Sequence, residues 1–195
     1  MDSCLGVYKV GRLPMDEVNF LHEGSSAHPF DGDHCGHVGT EDIYHPSPAV
    51  ERNCYFFDFG EVDPRDTDDL ITPSLLAMLP KLQEIPALRF TYLKCDSLPL
   101  HDDLAMKRHD YLFSMAILLS APHGCNLVTG GHNQSVMVPG DVIIIDDQVK
   151  HGAYPIEKPE PTCEANLATV ALGDQDHFVD RNCLSFLLIC AAQPY

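Results

Sequence analysis

The second half of the chain alternates between short apolar runs and turn-forming residues. From Leu88 onward the apolar runs are brief and are separated by Gly, Pro and Asp. Such runs, rich in β-branched and aromatic residues, predict strands, and several of them in succession are typical of a sandwich or barrel. One run is long enough for a buried helix, but its place between two strand-like runs favours a strand. That run is Tyr111–Leu119, and the others are Arg89–Lys94, Asn126–Val128, Gln134–Val138, Val142–Ile145 and Ala165–Leu172.

The first half mixes several kinds of predicted element. The aromatic run Tyr55–Phe59 predicts a strand. Thr72 followed by Pro73 predicts the start of a helix, which Pro80 should end early. Two short apolar pieces, Leu5–Val10 and Val18–Leu21, fit either edge strands or a short helix.

A His- and Asp-rich stretch spans residues 22–45, and within it Glu23–Thr40 predicts an irregular loop. A loop of this length in a compact domain is often a functional lid. Its segment Asp31–His37 concentrates metal-ligating side chains but lacks the second pair of ligands that a structural zinc site requires. We therefore expect one domain, in which residues 1–87 form an N-terminal extension with a loop or lid and a supporting helix. Residues 88–175 would form the core, and residues 176–195 a C-terminal packing element, either a last strand or a short helix on the outside.

Charge and cysteine content limit which partners and which cellular compartment the sequence predicts. The chain has 29 acidic and 12 basic residues, a net charge of −17, which disfavours nucleic acid and anionic membrane surfaces. The eight Cys are scattered without a Cys-x-x-Cys pair, so reduced thiols are expected. The N-terminus does not resemble a signal peptide, and no apolar run approaches the roughly 18 residues of a membrane span. The sequence thus indicates a cytoplasmic protein without a membrane span, and it carries no signal for a particular oligomeric state.

His101 and Asp103 form a His-x-Asp triplet in a strand-like setting. Residues i and i+2 of an extended strand point to the same face, so the imidazole and the carboxylate are expected to face together. With a second imidazole they make the 2-His-1-carboxylate set that suits non-haem Fe(II). That set leaves coordination positions open for oxygen and a chelating co-substrate.

The second imidazole is expected at the end of a turn–strand–turn element. Pro139–Asp141 predicts a tight turn, Val142–Ile145 a strand, and Asp146-Asp147 the next turn. His151 then opens the following strand beside Gly152, which allows a ligand to approach closely. His151 is therefore the predicted third metal ligand.

This arrangement of His101, Asp103 and His151 around a turn–strand element resembles the 2-oxoglutarate/Fe(II)-dependent dioxygenases. Within that superfamily it is most similar to the aspartyl/asparaginyl β-hydroxylase and proline hydroxylase branch, over roughly residues 88–172. The resemblance implies a mainly β fold with a double-stranded β-helix (jelly-roll or cupin-like) core and a few flanking helices. It also implies Fe(II) on His101, Asp103 and His151, 2-oxoglutarate as co-substrate and molecular oxygen as oxidant. The substrate would be an amino acid, a peptide-like molecule or another small molecule.

The resemblance further implies a cation that binds the far carboxylate of 2-oxoglutarate. In these enzymes it is commonly an Arg about ten residues after the distal His, and its bidentate pairing gives both energy and orientation. This sequence has no Arg there. Arg108 and Lys158 are the two candidates for that contact, and His109 is a candidate to touch the co-substrate or substrate. Arg181 is expected to lie past the core.

Two other functions remain open. A cupin-type metalloprotein has the same scaffold and the same turn–strand–His element but does not use 2-oxoglutarate. A non-catalytic acidic β-barrel would instead use the charge of −17 to bind a protein or a small molecule. The missing Arg bears on this choice, because loss of such a contact weakens carboxylate binding by roughly 2–4 kcal/mol.

Overall fold

Two antiparallel sheets and a few short helices make up the described part of the chain. The computed structural model describes residues 7–26, 54–63, 70–95, 97–101, 111–129, 133–145, 149–156 and 184–192. Its helices are α1 (Met15–Ser26), α2 (Pro73–Met78) and a 3₁₀ helix at Pro80–Glu84. Its strands are β1 (Val7–Arg12), β2 (Cys54–Val62), β3 (Leu88–Cys95), β4 (Leu98–His101), β5 (Tyr111–Ser120), β6 (Cys125–Thr129), β7 (Asn133–Met137), β8 (Asp141–Ile145), β9 (His151–Pro155) and β10 (Leu184–Ala192).

The larger sheet has six strands in the order β1-β8-β5-β10-β3-β2, and the smaller has four in the order β4-β9-β6-β7. Neighbouring strands pair antiparallel in both sheets. The chain passes repeatedly from one sheet to the other, as in β3 to β4, β5 to β6 and β8 to β9. The predicted fold class, a mainly β double-stranded β-helix with a few flanking helices, is therefore confirmed.

The larger sheet separates two apolar cores. Alternate residues of a strand face opposite sides of a sheet, and β5 is apolar on both of its faces. Its residues Ile117 and Leu119 pack with the helices, while Ala116 and Leu118 pack toward the smaller sheet. This double burial explains why β5 is a continuous apolar run rather than an alternating one.

Local sequence signals set the ends of helix α2. The Thr72 side chain accepts a hydrogen bond from the backbone N–H of Leu75 at 3.3 Å, and Pro73 occupies the first helical position. The helix ends at Met78, just before Pro80, as predicted. From α1, the Glu17 carboxylate accepts a hydrogen bond from the Ser74 hydroxyl at 2.6 Å, which ties the two helices together.

The structure resolves the open predictions of the first half. Leu5–Val10 overlaps β1, whereas Val18–Leu21 lies within α1. The loop predicted from Glu23 was wrong at its start, because α1 continues to Ser26. The apolar spacing of Val18 and Leu21, both buried beneath α1, explains this continuation. The rest of the His- and Asp-rich stretch lies outside the described residues.

The C-terminal segment lies inside the larger sheet. The residues described there form β10, which pairs with β3 on one side and β5 on the other. An interior strand is covered on both faces, which accounts for its nearly continuous apolar sequence from Leu184 to Ala192. The edges of the same sheet are β1 and β2, which both precede β3 in the chain. The predicted strand Ala165–Leu172 lies outside the described residues.

Neither of the α-helices in the described ranges is long and apolar enough to cross a membrane.

Candidate metal centre

His151 begins strand β9 and is buried, with only 3% of its surface exposed. Its Nδ1 lies 2.9 Å from the carbonyl oxygen of Val149. Because a carbonyl oxygen only accepts, Nδ1 carries the proton and the neutral ring keeps its lone pair on Nε2. Metal-binding imidazoles commonly have this arrangement, in which a hydrogen bond at one nitrogen fixes the tautomer and orientation of the other. His151 therefore fits the chemistry of a metal ligand.

A β-bulge brings His101 opposite His151. Leu98 pairs with Ala153 and His101 pairs with His151, so β4 has one more residue than β9 between the two pairs. Without this extra residue, Leu100 would lie opposite His151. Strand β4 is at the edge of the smaller sheet, where a Pro such as Pro99 is tolerated because its missing N–H removes no inner ladder bond.

The pairing of His101 with His151 extends into a row across the smaller sheet. Directly opposed residues of antiparallel strands share a face of the sheet. The next row on this face, which contains Ala153 and Leu127, belongs to the apolar core between the two sheets. His151 and Thr129 alternate with Ala153 and Leu127, so they lie on the inner face at one end of the sandwich, which we call the histidine end. In backbone register, this row runs through the positions of His101, His151, Thr129 and Asn133.

The larger sheet places polar residues at the same end. Ser114 Oγ and Cys190 Sγ lie 3.7 Å apart on neighbouring strands. Half-buried Arg89 lies directly opposite Cys190 on the next strand. None of these three residues had a predicted site role. The one available signal was a charged residue within an apolar strand, since Arg89 stands between Leu88 and Phe90.

Several predicted site residues lie outside the described residues: Asp103, Arg108, His109 and Lys158. The backbone of His101 is described, and its position is given by its pairing with His151. Among the side chains that the structure describes, no three His, Cys, Asp or Glu residues come together. Arg181 also lies outside the described residues.

The predicted Pro139–Asp141 turn is confirmed, at the opposite end of the sandwich from the histidines. Asp141 N–H donates to the Val138 carbonyl at 3.0 Å, and Gly140 has a φ of 93°. A Cβ on Gly140 would lie 2.7 Å from the carbonyl oxygen of Leu13, so the turn and the chain before α1 fit together only with glycine there. We call this end, with the turns at Val138–Asp141 and Ala121–Gly124, the turn end.

Asp141 is a structural anchor of the turn end. Its side chain is fully buried and accepts from Arg12 Nε at 2.6 Å, Lys9 Nζ at 2.7 Å and Val138 N–H at 3.1 Å. Burial of the carboxyl opposes its ionisation, but these hydrogen bonds, first of all that from Arg12, outweigh burial and hold the pKa of Asp141 below its usual range. Asp141 therefore joins strand β8 to strand β1 and has no place in the candidate metal centre.

The thiol of Cys125 is buried at the turn end. Burial, together with the nearby charge of Asp141, raises the pKa of Cys125 to about 12. The thiolate is the reactive form of cysteine, so this residue is a chemically inert part of the core.

Comparisons with known proteins place the chain by its fold. No protein-family model matches the sequence, and no curated protein matches it. A prolyl-4-hydroxylase from Pseudomonas putida has a similar structure, with a TM-score of 0.54, 12% identity, and coverage of 97% of this chain and 94% of that one. AviO1 from Streptomyces viridochromogenes is 15% identical, with a TM-score of 0.44 over 97% of this chain and 90% of that one. EctD from S. alaskensis is 16% identical, with a TM-score of 0.46 over 95% of this chain and 73% of that one.

The class that emerges is structural. The chain has the double-stranded β-helix fold that the prolyl-4-hydroxylase also has, and two histidines, His101 and His151, pair on neighbouring strands of its smaller sheet. At 12% identity the likeness shows the fold alone.

Proposed function

We propose that this chain is an Fe(II)- and 2-oxoglutarate-dependent dioxygenase that hydroxylates an amino-acid, peptide-like or other small substrate. Its Fe(II) ligands would be His101, Asp103 and His151. The single observation that carries the proposal is the pairing of His101 with the buried His151 on neighbouring strands of the smaller sheet. A β-bulge that places a second histidine beside a buried one at a sheet edge is typical of a functional site.

The metal would supply the redox chemistry of the site. Bound Fe(II) supports the oxidation of 2-oxoglutarate by O2 to succinate and CO2, with the second oxygen atom entering a C–H bond of the substrate as a hydroxyl group. Every atom of the two substrates and of O2 is thereby accounted for in succinate, CO2 and the alcohol.

The chain's own residues provide orientation and exclude water. The hydrogen bond from His151 Nδ1 to Val149 directs Nε2 away from that carbonyl and fixes its tautomer. The inner face next to the histidines is apolar, with Leu127, Ala153 and Phe186 in one buried cluster. Apolar residues next to a metal centre exclude water and so prevent side reactions with it.

An anaerobic Fe(II) titration with and without 2-oxoglutarate tests the proposal. The chelate of Fe(II) with a 2-oxo acid gives a weak visible charge-transfer band, which we expect in the wild type. We expect His151→Ala to lose the band and to bind iron at least about 100-fold more weakly, equivalent to roughly 2.7 kcal/mol. Under air, the wild type should then release succinate.

His123→Ala is the matched control. His123 is exposed in the turn between β5 and β6, at the turn end. Its replacement should leave both iron affinity and the band unchanged. A band that survives His151→Ala, or one that His123→Ala removes equally, contradicts the assignment of the site.

One observation favours the cupin-type alternative, which would bind a metal but not 2-oxoglutarate. The positions of β10 that face the inner core carry no cation: they are Leu184, Phe186, Leu188 and Cys190. Tight Fe(II) binding that depends on His151, with no band on addition of 2-oxoglutarate, would establish this alternative.

A further inference from the structure

We propose that Arg89 binds the far carboxylate of a 2-oxo dicarboxylic acid held at the candidate metal centre. This inference rests on the proposed function and assigns a binding residue to it. Arg89 belongs to β3, the first strand of the core, whereas the family resemblance pointed to Arg108 and Lys158 for this contact. Three features of the described residues support the assignment: the face on which Arg89 lies, the end of the sandwich at which it lies, and the positions of the other cations.

The alternation of β3 places Arg89 on the inner face of the larger sheet. Leu88 and Phe90 pack with the helices, whereas Leu93 and Cys95 pack toward the smaller sheet. Because alternate residues of a strand share a face, Arg89 lies on the side of Leu93 and Cys95.

The partner of Arg89 across β10 supports the same face. Cys190 lies directly opposite Arg89, and it alternates with Leu188 and Phe186, which belong to or pack against the inner core. The contact between Cys190 and Ser114 shows that these two side chains share that face.

The chain connections place this row at the histidine end. Strand β8 ends at Ile145 and β9 begins at His151, so these two residues lie at the same end of the two sheets. Ile145 lies directly opposite Ser114, and the row continues through Cys190 to Arg89. The row with Arg89 and the row with His151 therefore lie at the same end of the two facing sheets.

The spacing suits a short dicarboxylate. Facing sheets are about 10 Å apart, a gap that a metal-bound five-carbon acid and an Arg side chain can span together. A guanidinium offers paired donors in the geometry of a carboxylate. The hydroxyl of Ser114 is a further polar group in the same row.

The other described cations are placed elsewhere. Lys9 and Arg12 bind Asp141 at the turn end. Lys94 lies on the opposite face of β3, near His22 in α1. Burial of the His22 imidazole lowers its pKa, and the charge of Lys94 lowers that pKa further. Lys81 and Lys150 are exposed on the surface.

The test compares two ligands that differ only in the far carboxylate. 2-Oxoglutarate and 2-oxopentanoate have the same five-carbon chain and the same 2-oxo acid group, and only the first has a second carboxylate. Their dissociation constants are measured anaerobically on the Fe(II) protein from the charge-transfer band. We expect the wild type to prefer 2-oxoglutarate by about 10-fold to 100-fold, the range of a hydrogen bond to a charged group.

Arg89→Met should reduce this preference to nearly 1 while 2-oxopentanoate and Fe(II) bind as in the wild type. Arg89→Lys should retain part of the preference. Lys94→Met is the matched control, on the same strand but the opposite face, and should retain all of it. If Arg89→Met keeps the full preference, or if Lys158→Met removes it instead, the inference is overturned.

Glu61 provides a second control, because it lies directly opposite Arg89 on β2. If Arg89 served only to pair with Glu61, Glu61→Gln and Arg89→Met would lower stability alike and leave ligand preference unchanged, which would overturn the inference. We expect Glu61→Gln to keep the preference or to increase it. Failure of the proposed function has a separate signature: wild-type protein that binds Fe(II) but gives no band with either oxo acid.

Discussion

The turn end and the histidine end of the sandwich use their buried polar residues in different ways. At the turn end, the Asp141 carboxylate is surrounded by hydrogen bonds from Arg12, Lys9 and a backbone N–H. At the histidine end, the His151 ring is oriented by a hydrogen bond from Nδ1 to the backbone carbonyl of Val149. A buried carboxylate that accepts several charged hydrogen bonds stabilises the fold, whereas a buried imidazole whose tautomer is set by such a bond suits a metal ligand.

Glycine usage follows the same division. Among the described residues, Gly124 and Gly140 have positive φ values of 84° and 93°, and both are in turns at the turn end. An added Cβ at either position would lie 2.7 Å from a backbone carbonyl oxygen. Among the described residues, this close backbone packing at positive-φ glycines therefore lies at the turn end, away from the candidate metal centre.

The largest stability effect is expected from Gly140→Ala. Positive φ alone costs a residue with a side chain about 1–3 kcal/mol, and the contact with Leu13 adds to it, so we expect a loss of about 3 kcal/mol. Urea denaturation measures it. The control is Gly24→Ala in helix α1, whose Cβ would meet nothing within 4 Å and should stabilise by about 0.5–1 kcal/mol. Equal effects at the two glycines would contradict the packing described for the turn end.

Asp141→Asn should lower the free energy of unfolding by about 1.5–3 kcal/mol at pH 7, because it removes charged hydrogen bonds from Arg12 and Lys9. The folded pKa of Asp141 is below its unfolded value of about 3.9. The stabilisation is therefore complete above that value and is lost as the pH falls through the folded pKa. Denaturation of both proteins between pH 7 and pH 3 should show the difference shrinking at the acid end. A constant difference would mean that the charge of Asp141 is not what stabilises the turn.

His151→Leu should change the stability of the metal-free protein by less than about 1 kcal/mol. The lost hydrogen bond to Val149 contributes about that much, and the added apolar burial offsets it. The same variant should bind no Fe(II). At the histidine end, the substitution would thus abolish metal binding with little change in the free energy of unfolding. A loss of several kcal/mol would identify His151 as a structural residue like Asp141.

The smallest effect is a difference in thiol chemistry. Cys125, with its pKa raised to about 12 by burial, should resist alkylation by N-ethylmaleimide in the folded protein at pH 8. Half-buried Cys190 should react faster, and Fe(II) with 2-oxoglutarate should slow it because both would lie in the same gap. Peptide mapping after timed alkylation measures both rates. Equal alkylation rates for the two thiols would contradict this difference between the turn end and the histidine end.

Much of the local structure was predictable because its causes are local. Thr72 and Pro73 start α2, Pro80 ends it, and the Pro139–Asp141 turn forms as its residues dictate. The core strands β3, β5, β6, β7 and β8 were also predictable from short apolar runs, and each of their ends differs from the prediction by at most one residue. These features depend on the backbone preferences of a few consecutive residues, so they can be predicted from the sequence alone.

The candidate site was predictable only in part, since its members belong to separate strands. His101 and His151 could be named from their motifs, but their pairing depends on an extra residue in β4 that no spacing rule indicated. Arg89 was counted as an ordinary strand residue, because its face and its end depend on pairing with β10, which is remote in the chain.

By itself, the sequence determined the fold class and the turn at Pro139–Asp141, and it singled out His101 and His151, since short-range backbone preferences and apolar periodicity depend on consecutive residues. Only the tertiary structure decided that Asp141 anchors β1, that a bulge aligns His101 with His151, and that Arg89 lies at the same end of the sandwich. The reason is register. A shift of one residue moves a side chain to the other face of a sheet, and register is fixed by strands that meet only when the whole chain has folded.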